Sequence, residues 1–146
     1  MTTIKRRVDR MSRPLALFLA AHGVAHWVGT SRSFQDAADG TTVDYVGGAW
    51  SISNPAALRT LGVLWALAGA AYLVAAWAYW TRAPRRRAAL AAVTVPSLIL
   101  SILALPMAIV GVIIDVALLL LVLVTRPDRS AEPRPRTANA PDRVSA

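Results

Sequence analysis

Four long runs of apolar residues divide this chain of 146 residues. The runs cover residues 14–30, 56–81, 88–105 and 107–125. Each run is long enough for a helix that crosses a bilayer, which needs roughly 20 residues with a range of about 17–25. Pro106 separates the last two runs, and one continuous helix over both would be far too long for a bilayer. The pattern predicts an all-α polytopic membrane protein with four transmembrane helices in a bundle.

Prolines and one asparagine mark where these helices should begin and bend. Pro14 opens the first run, and Asn54 followed by Pro55 is a typical N-cap and first-turn pair for the second. Pro96 lies inside the third run, where it should kink the helix or free a backbone carbonyl. These signals predict a transmembrane domain over residues 14–125, with its outer loop at 31–53.

The composition excludes several classes of protein. Hydrophobic residues make up 55% of the chain and charged residues only 16%, whereas soluble domains carry about 25% charged residues. This balance argues against a water-soluble enzyme and against a disordered chain. The chain contains no cysteine, which excludes disulfides and thiolate metal sites.

Basic residues predict the orientation in the membrane. Fourteen of the 16 Lys and Arg residues fall in residues 1–13, in the loop between the second and third runs, or in residues 126–146. The positive-inside rule then places both termini in the cytoplasm. It also accounts for the net charge of +8 without nucleic acid as a partner, because basic flanks contact lipid headgroups.

The same residues suggest a localisation and two terminal segments. The 15 arginines outnumber the single lysine and alanine is abundant, which fits a GC-rich genome. The expected location is a bacterial cytoplasmic membrane. Residues 1–13 should form a basic cytoplasmic N-terminus. Residues 126–146 contain four prolines and no apolar periodicity, which predicts a disordered cytoplasmic tail.

Two histidines and one acidic residue lie within the apolar runs: His22, His26 and Asp115. Such groups are costly inside a membrane and are candidates for function. The two histidines are four residues apart and share one helix face. With a rise of about 1.5 Å per residue, His22 and Asp115 both lie about 12 Å below the outer surface, and His26 about 6 Å below it.

Polar or aromatic residues of the other two helices fall in the same layer. These residues are Ser97, Ser101 and Trp65. The coincidence predicts a polar cluster inside the outer half of the bundle. For the two serines taken alone, hydrogen bonding to their own helix backbone is the expected role. Small residues at four-residue spacing should let the first two helices approach closely. They are Ala21, Ala25 and Gly29 on the first helix, and Gly62, Ala66 and Ala70 on the second.

Three interpretations of the cluster remain open. Hydrogen bonds across the helices could simply fix the bundle, each contributing about 0.6–2 kcal/mol. The cluster could bind or transport a small polar molecule, a proton or a lipid headgroup, because a His–Asp pair changes protonation near neutral pH. His22, His26 and Asp115 could also hold a single metal ion as two histidines and a carboxylate. Gly23 occupies the glutamate position of an HExxH motif, so that motif is absent.

Several stretches resemble one family of small four-helix bacterial membrane proteins. His22 to Gly29 resembles its HGxxHxxG first helix, and Leu61 to Ala68 its G-x-L-W second helix. Ser97 to Ser101 is similar to its serine-bearing third helix, and Gly111 to Leu118 to its fourth. Members are often labelled ABC transporter permease, although the family has no established activity. The resemblance implies a four-helix fold and draws attention to the histidines and Asp115, but implies no reaction.

The sequence therefore predicts a small membrane protein that acts as a binding, transport or accessory subunit. A membrane enzyme with a metal held by His22, His26 and Asp115 is one alternative, and a purely structural subunit is another. The lipid bilayer is the expected partner. A homo-oligomer or a larger membrane complex is also expected, since four short spans enclose little volume.

Overall fold

The computed structural model describes residues 2–125, with side chains from Ser12 onward. The chain is all-helical and has four helices among these residues. They are α1 Thr2–Asp39, α2 Pro55–Trp80, α3 Arg86–Leu103 and α4 Ile109–Val124. Helix α1 packs along α2, α2 along α3, and α3 along α4. The predicted helical class is therefore confirmed. The predicted tail at 126–146 lies outside the described residues.

Helix α1 differs most from the prediction. It has 38 residues, whereas the apolar pattern predicts a helix over 14–30. Residues 2–13 and 31–39 are helical as well, because no residue there interrupts a helix, and Pro14 lies in the interior. The helix ends at Asp39, and the φ of +65° at Gly40 is the left-handed conformation common after a last helical turn. The predicted N-terminal segment and part of the predicted outer loop are thus continuations of α1.

The other helices begin and end within two residues of their predicted limits. Asn54 caps α2 as predicted, because its side-chain oxygen accepts hydrogen bonds from the backbone N–H groups of Ala56 and Ala57. Helices α2 and α3 are long and apolar enough to cross a membrane. Helix α4 is apolar and shorter, with 16 residues.

A small hairpin between α1 and α2 was not predicted. Strands β1 Val43–Tyr45 and β2 Trp50–Ile52 pair antiparallel, and a 3₁₀ turn over Val46–Gly48 joins them. Tyr45 is buried with Ala37 of α1 and Leu58 of α2. The N–H of Gly47 donates to the carbonyl of Leu105, in the turn between α3 and α4, at 3.0 Å. The hairpin therefore covers one end of the helix assembly, which we call the outer end.

Several polar residues are buried in the interior, while many large apolar side chains are exposed. Asp115 and Ser97 are fully buried at 0% exposure, whereas Val28 is 70% exposed and Leu123 is 68% exposed. An apolar cluster that includes Leu19, Tyr72 and Leu90 fills the interior beyond the polar layer, away from the outer end. The helices thus enclose a polar layer and an apolar cluster, and they leave other large apolar side chains exposed.

Helices α1 and α2 approach most closely at two glycines. A Cβ added at Gly69 would lie 2.7 Å from the carbonyl oxygen of Gly23, and one added at Gly23 would lie 2.8 Å from that of Gly69. Among the small residues expected to make this contact, Ala21, Ala25 and Ala70 are exposed. Glycine is needed at the observed crossing because the two backbones touch there.

We predict that Gly69→Ala destabilises the protein. The added methyl group must push the two backbones apart, and overpacking of this kind costs about 1–3 kcal/mol. Thermal unfolding in a mild detergent measures the change. Ala70→Leu, which adds a larger group at the neighbouring exposed position, is the control and should leave the midpoint unchanged. Equal midpoints for Gly69→Ala and wild type would contradict the close approach.

Candidate functional site

Asp115 of α4 lies at the centre of a hydrogen-bond network that joins all four helices. Its Oδ1 accepts from Tyr72 Oη of α2 at 2.7 Å and lies 3.1 Å from His22 Nε2 of α1. Its Oδ2 accepts from two serines of α3, Ser97 Oγ at 2.8 Å and Ser101 Oγ at 3.3 Å. The carboxyl group, which is fully buried, therefore has two partners on each oxygen. A carboxylate without such partners would be strongly disfavoured at this position.

The second histidine is held by its own helix and by α3. His26 Nδ1 lies 3.1 Å from the backbone carbonyl of His22, one turn earlier, and Nε2 lies 2.8 Å from Ser97 Oγ. Because a carbonyl only accepts, Nδ1 carries a hydrogen. The orientation of the ring is thus fixed, with Nε2 directed at Ser97.

Aromatic rings enclose the two histidines. The ring of Tyr72 meets the His22 ring edge to face at 4.7 Å, and Trp65 meets the His26 ring at 5.3 Å. Gly29 makes room for Trp65, because a Cβ there would lie 2.9 Å from the indole ring. The imidazoles are therefore confined by packing as well as by hydrogen bonds, and both are nearly buried.

Local sequence explains how α3 supplies two hydroxyls. Ser97 and Ser101 are one turn apart and so share a face. The expected bond from each serine to its own helix backbone is replaced by a bond to Asp115. Thr94 does bond to its own helix, at the carbonyl of Leu90. Ser97 and Ser101 lie within hydrogen-bond distance of Asp115, and a buried carboxylate is a stronger acceptor than a carbonyl that is already hydrogen-bonded.

A cavity of about 380 Å³ connects this network to the outer end. His22, His26 and Trp65 line it at one end, and Asp44 and Tyr45 of the hairpin line it at the other. Apolar side chains form most of the wall between them: Val28, Met107, Val110 and Ile114. The cavity therefore offers a polar site at the histidines within largely apolar walls.

Charged residues lie at the outer end of the cavity. Arg32 and Asp36 form an ion pair at 3.2 Å, and Ser51 Oγ donates to Asp44 at 2.6 Å. Burial raises the pKa of Tyr45, and the negative charge of Asp36 raises it further. Tyr45 is therefore a neutral hydrogen-bonding group there at physiological pH.

The geometry gives no support to the predicted metal site. Within residues 2–125, no three His, Cys, Asp or Glu side chains are grouped so that they could hold a metal ion. A metal on His26 would have to displace Ser97 from Nε2 or the His22 carbonyl from Nδ1. The metal hypothesis stays a prediction.

The structure brings together all six residues that the sequence singles out. These are His22, His26, Trp65, Ser97, Ser101 and Asp115. Tyr72 was missed, although it donates the shortest hydrogen bond to Asp115. It lies seven residues after Trp65, two helical turns along the same face, and this spacing could have identified it.

Comparison with known proteins adds no assignment. The chain matches no protein-family model, no curated protein and no solved structure. The function must therefore be inferred from the site itself.

We predict that two substitutions of Asp115 differ strongly in their effect on the unfolding midpoint. Asp115→Leu leaves four donor groups without their acceptor, and an unsatisfied buried group costs about 1–3 kcal/mol. It should lower the unfolding midpoint strongly. Asp115→Asn should remain close to wild type, because its oxygen accepts from Tyr72 and His22 and its amide donates to rotated serine hydroxyls. Thermal unfolding in detergent measures both. Similar midpoints for the two variants would show that these hydrogen bonds do not determine stability.

Proposed function

We propose that this protein spans a bacterial cytoplasmic membrane four times and binds a small molecule in a cavity open toward the outer end. The observation that carries the proposal is the cavity of about 380 Å³ that ends on His22 and His26. Small-molecule sites typically have volumes of about 300–1,000 Å³, mostly apolar walls and a few convergent polar groups. This cavity has each of these properties.

The outward apolar faces support a location in the bilayer. Ile113 is 64% exposed and Leu67 is 60% exposed, while Asp115 of α4 and Tyr72 of α2 are fully buried. Burying those faces in lipid removes apolar surface from water. This burial is favourable by about 25 cal/mol for each Å² of surface. Helix α4 extends about 24 Å at 1.5 Å per residue, somewhat less than the bilayer core of about 30 Å. Local thinning of the bilayer accommodates such a difference.

The end of the helix assembly opposite the hairpin, which we call the inner end, has the charges and aromatic residues typical of a cytoplasmic membrane surface. The guanidinium of Arg13 lies 5.6 Å from the ring centroid of Trp80, and that of Arg86 lies 5.9 Å from the ring centroid of Tyr79. Arg87 donates to the backbone carbonyl of Thr125, after α4. Aromatic and basic residues together are typical of the cytoplasmic interface. In this arrangement the hairpin faces the opposite compartment.

Single cysteines test the orientation cleanly because the chain has none. We predict that Thr41→Cys, at the outer end, reacts in intact cells with a membrane-impermeant maleimide. Pro84→Cys, between α2 and α3, should react only after the membrane is permeabilised. Both positions are exposed, so the comparison separates sidedness from burial. Labelling of Pro84→Cys in intact cells would refute the proposed topology.

The walls of the cavity indicate the chemistry of its ligand. Apolar side chains favour an apolar body, and the histidine end favours one hydrogen-bonding group. We therefore propose a compact molecule with both features. Transport of such a ligand across the membrane would need a second conformation, because the apolar cluster around Leu19 and Leu90 closes the inner side.

Three probes with one apolar ring and different polar ends test ligand binding: benzylamine, benzyl alcohol and benzoate. We expect at least one to raise the unfolding midpoint in detergent, because a ligand that binds only the folded state stabilises it. Ala108→Trp, which places an indole in the cavity wall, should abolish the effect and otherwise fold normally. If no probe stabilises the wild type, or if Ala108→Trp responds equally, the cavity is not the binding site.

A structural subunit is the second candidate. Every buried side-chain N or O atom in the described part of the chain has a hydrogen-bond partner. A network completed in this way can fix the helix arrangement without any ligand. If the probes fail while Asp115→Leu still destabilises the protein, this second candidate is favoured.

A further inference from the structure

One serine hydroxyl connects His26 to Asp115. Ser97 Oγ lies 2.8 Å from His26 Nε2 and 2.8 Å from Asp115 Oδ2. A serine hydroxyl has a single hydrogen, so it can donate to only one of these atoms. The other contact requires a hydrogen supplied by its partner. Both short contacts therefore form only if the partners together carry one proton in addition to that of Ser97.

Two arrangements satisfy this requirement. In the first, the His26 imidazolium donates from Nε2 to Ser97 Oγ, and Ser97 donates to the Asp115 carboxylate. In the second, protonated Asp115 Oδ2 donates to Ser97 Oγ, and Ser97 donates to Nε2 of a neutral His26. The net charge of the three groups is zero in both. A neutral His26 beside an ionised Asp115 would leave two lone pairs facing each other across one of the 2.8 Å contacts.

The remaining partners are compatible with either arrangement. Nδ1 of His26 donates to the His22 carbonyl in both, and Oδ1 of Asp115 accepts from Tyr72 and His22 in both. Ser101 donates to Oδ2 whether or not that oxygen carries a proton. To convert one arrangement into the other, only two hydrogens have to move, one along each short contact.

We infer that His26, Ser97 and Asp115 form a relay that holds one proton and passes it between the imidazole and the carboxyl group. In one direction, the O–H bond of Asp115 breaks as Ser97 Oγ takes its hydrogen. The original Ser97 hydrogen then forms an N–H bond at His26. The proton is the species bound by this part of the site, so the inference deepens the proposed function and rests on its outward-facing cavity.

The surroundings give this relay access to one side. His26 lines the cavity that reaches the hairpin, whereas Asp115 is fully buried and the apolar cluster lies beyond it. The titratable groups facing the relay are His22 of α1 and Tyr72 of α2. The charged groups at the cavity mouth are Arg32, Asp36 and Asp44. Protons therefore exchange with the outer solution through His26, and not with the inner side in this conformation.

Nuclear magnetic resonance of the ligand-free protein in detergent tests the relay. The chain has two histidines, so ¹⁵N-histidine labelling gives a simple spectrum that His26→Asn assigns. Labelling aspartate at Cγ with ¹³C reports carboxyl protonation, and Asp115→Asn assigns that signal. We expect the His26 Nε2 and Asp115 Cγ signals to change together, with common midpoints, through a pH titration.

Ser97→Ala should abolish these common midpoints, because the atom that connects the two groups is lost. Ser101→Ala also removes a donor to Asp115 but keeps the atom that connects the two groups, so its midpoints should shift while His26 and Asp115 still titrate together. Ser97→Thr keeps the hydroxyl and should restore the coupling if Ser97→Ala is poorly folded. Independent midpoints in the wild type, or a wild-type titration in Ser97→Ala, would overturn the relay.

The rate at which the N–H hydrogens of the His26 ring exchange with deuterium tests the route by which protons reach the relay. Ala108→Trp fills the outer cavity and should slow this exchange while the common midpoints persist. Unchanged exchange would overturn access through the cavity. These readings need no ligand, so failure of the three aromatic probes would count against the proposed binding function without affecting the relay.

Discussion

The buried carboxyl group of Asp115 is the constraint on which the rest of this structure depends. It lies among apolar helices with no exposure, where an unpartnered charge would cost several kcal/mol. Each of the other helices therefore contributes a donor: His22 from α1, Tyr72 from α2, and Ser97 with Ser101 from α3. The helix arrangement that satisfies Asp115 is also the one that assembles the site. Fold and candidate function thus share the same hydrogen bonds.

Two further features convert this network into an accessible site. The contact of Gly23 with Gly69 brings α1 close to α2, and this proximity lets the rings of His22 and Tyr72 meet at 4.7 Å. At the outer end, the hairpin packs over the helices and leaves a cavity that reaches the histidines. The polar network is therefore reached from the outer end, and the interior beyond it is filled by apolar side chains.

The sequence by itself determined the helical class, three of the helices to within two residues, and six residues that the structure brings together around Asp115. Apolar length and the capping pair Asn54–Pro55 are local signals, and they suffice to place helix limits. The fixed rise of a helix allowed depth to be estimated for His22, Ser97 and Asp115. These residues do lie in one layer, since they contact one another directly or through Asp115. The family resemblance and the membrane topology stay predictions.

Only the tertiary structure decided the remaining features, because each depends on contacts between distant residues. The extension of α1 to Asp39 is accompanied by burial of Ser33, Asp36 and Ala37, and the apolar pattern does not reveal this. The serines turned from their own helix to Asp115, since a stronger acceptor from α4 lies within reach. Tyr72 belongs to the network because its hydroxyl donates to the same carboxyl group of Asp115. The spacing along α2 places Tyr72 on the same face as Trp65, but its hydrogen-bond partner 43 residues away is set by how the helices pack.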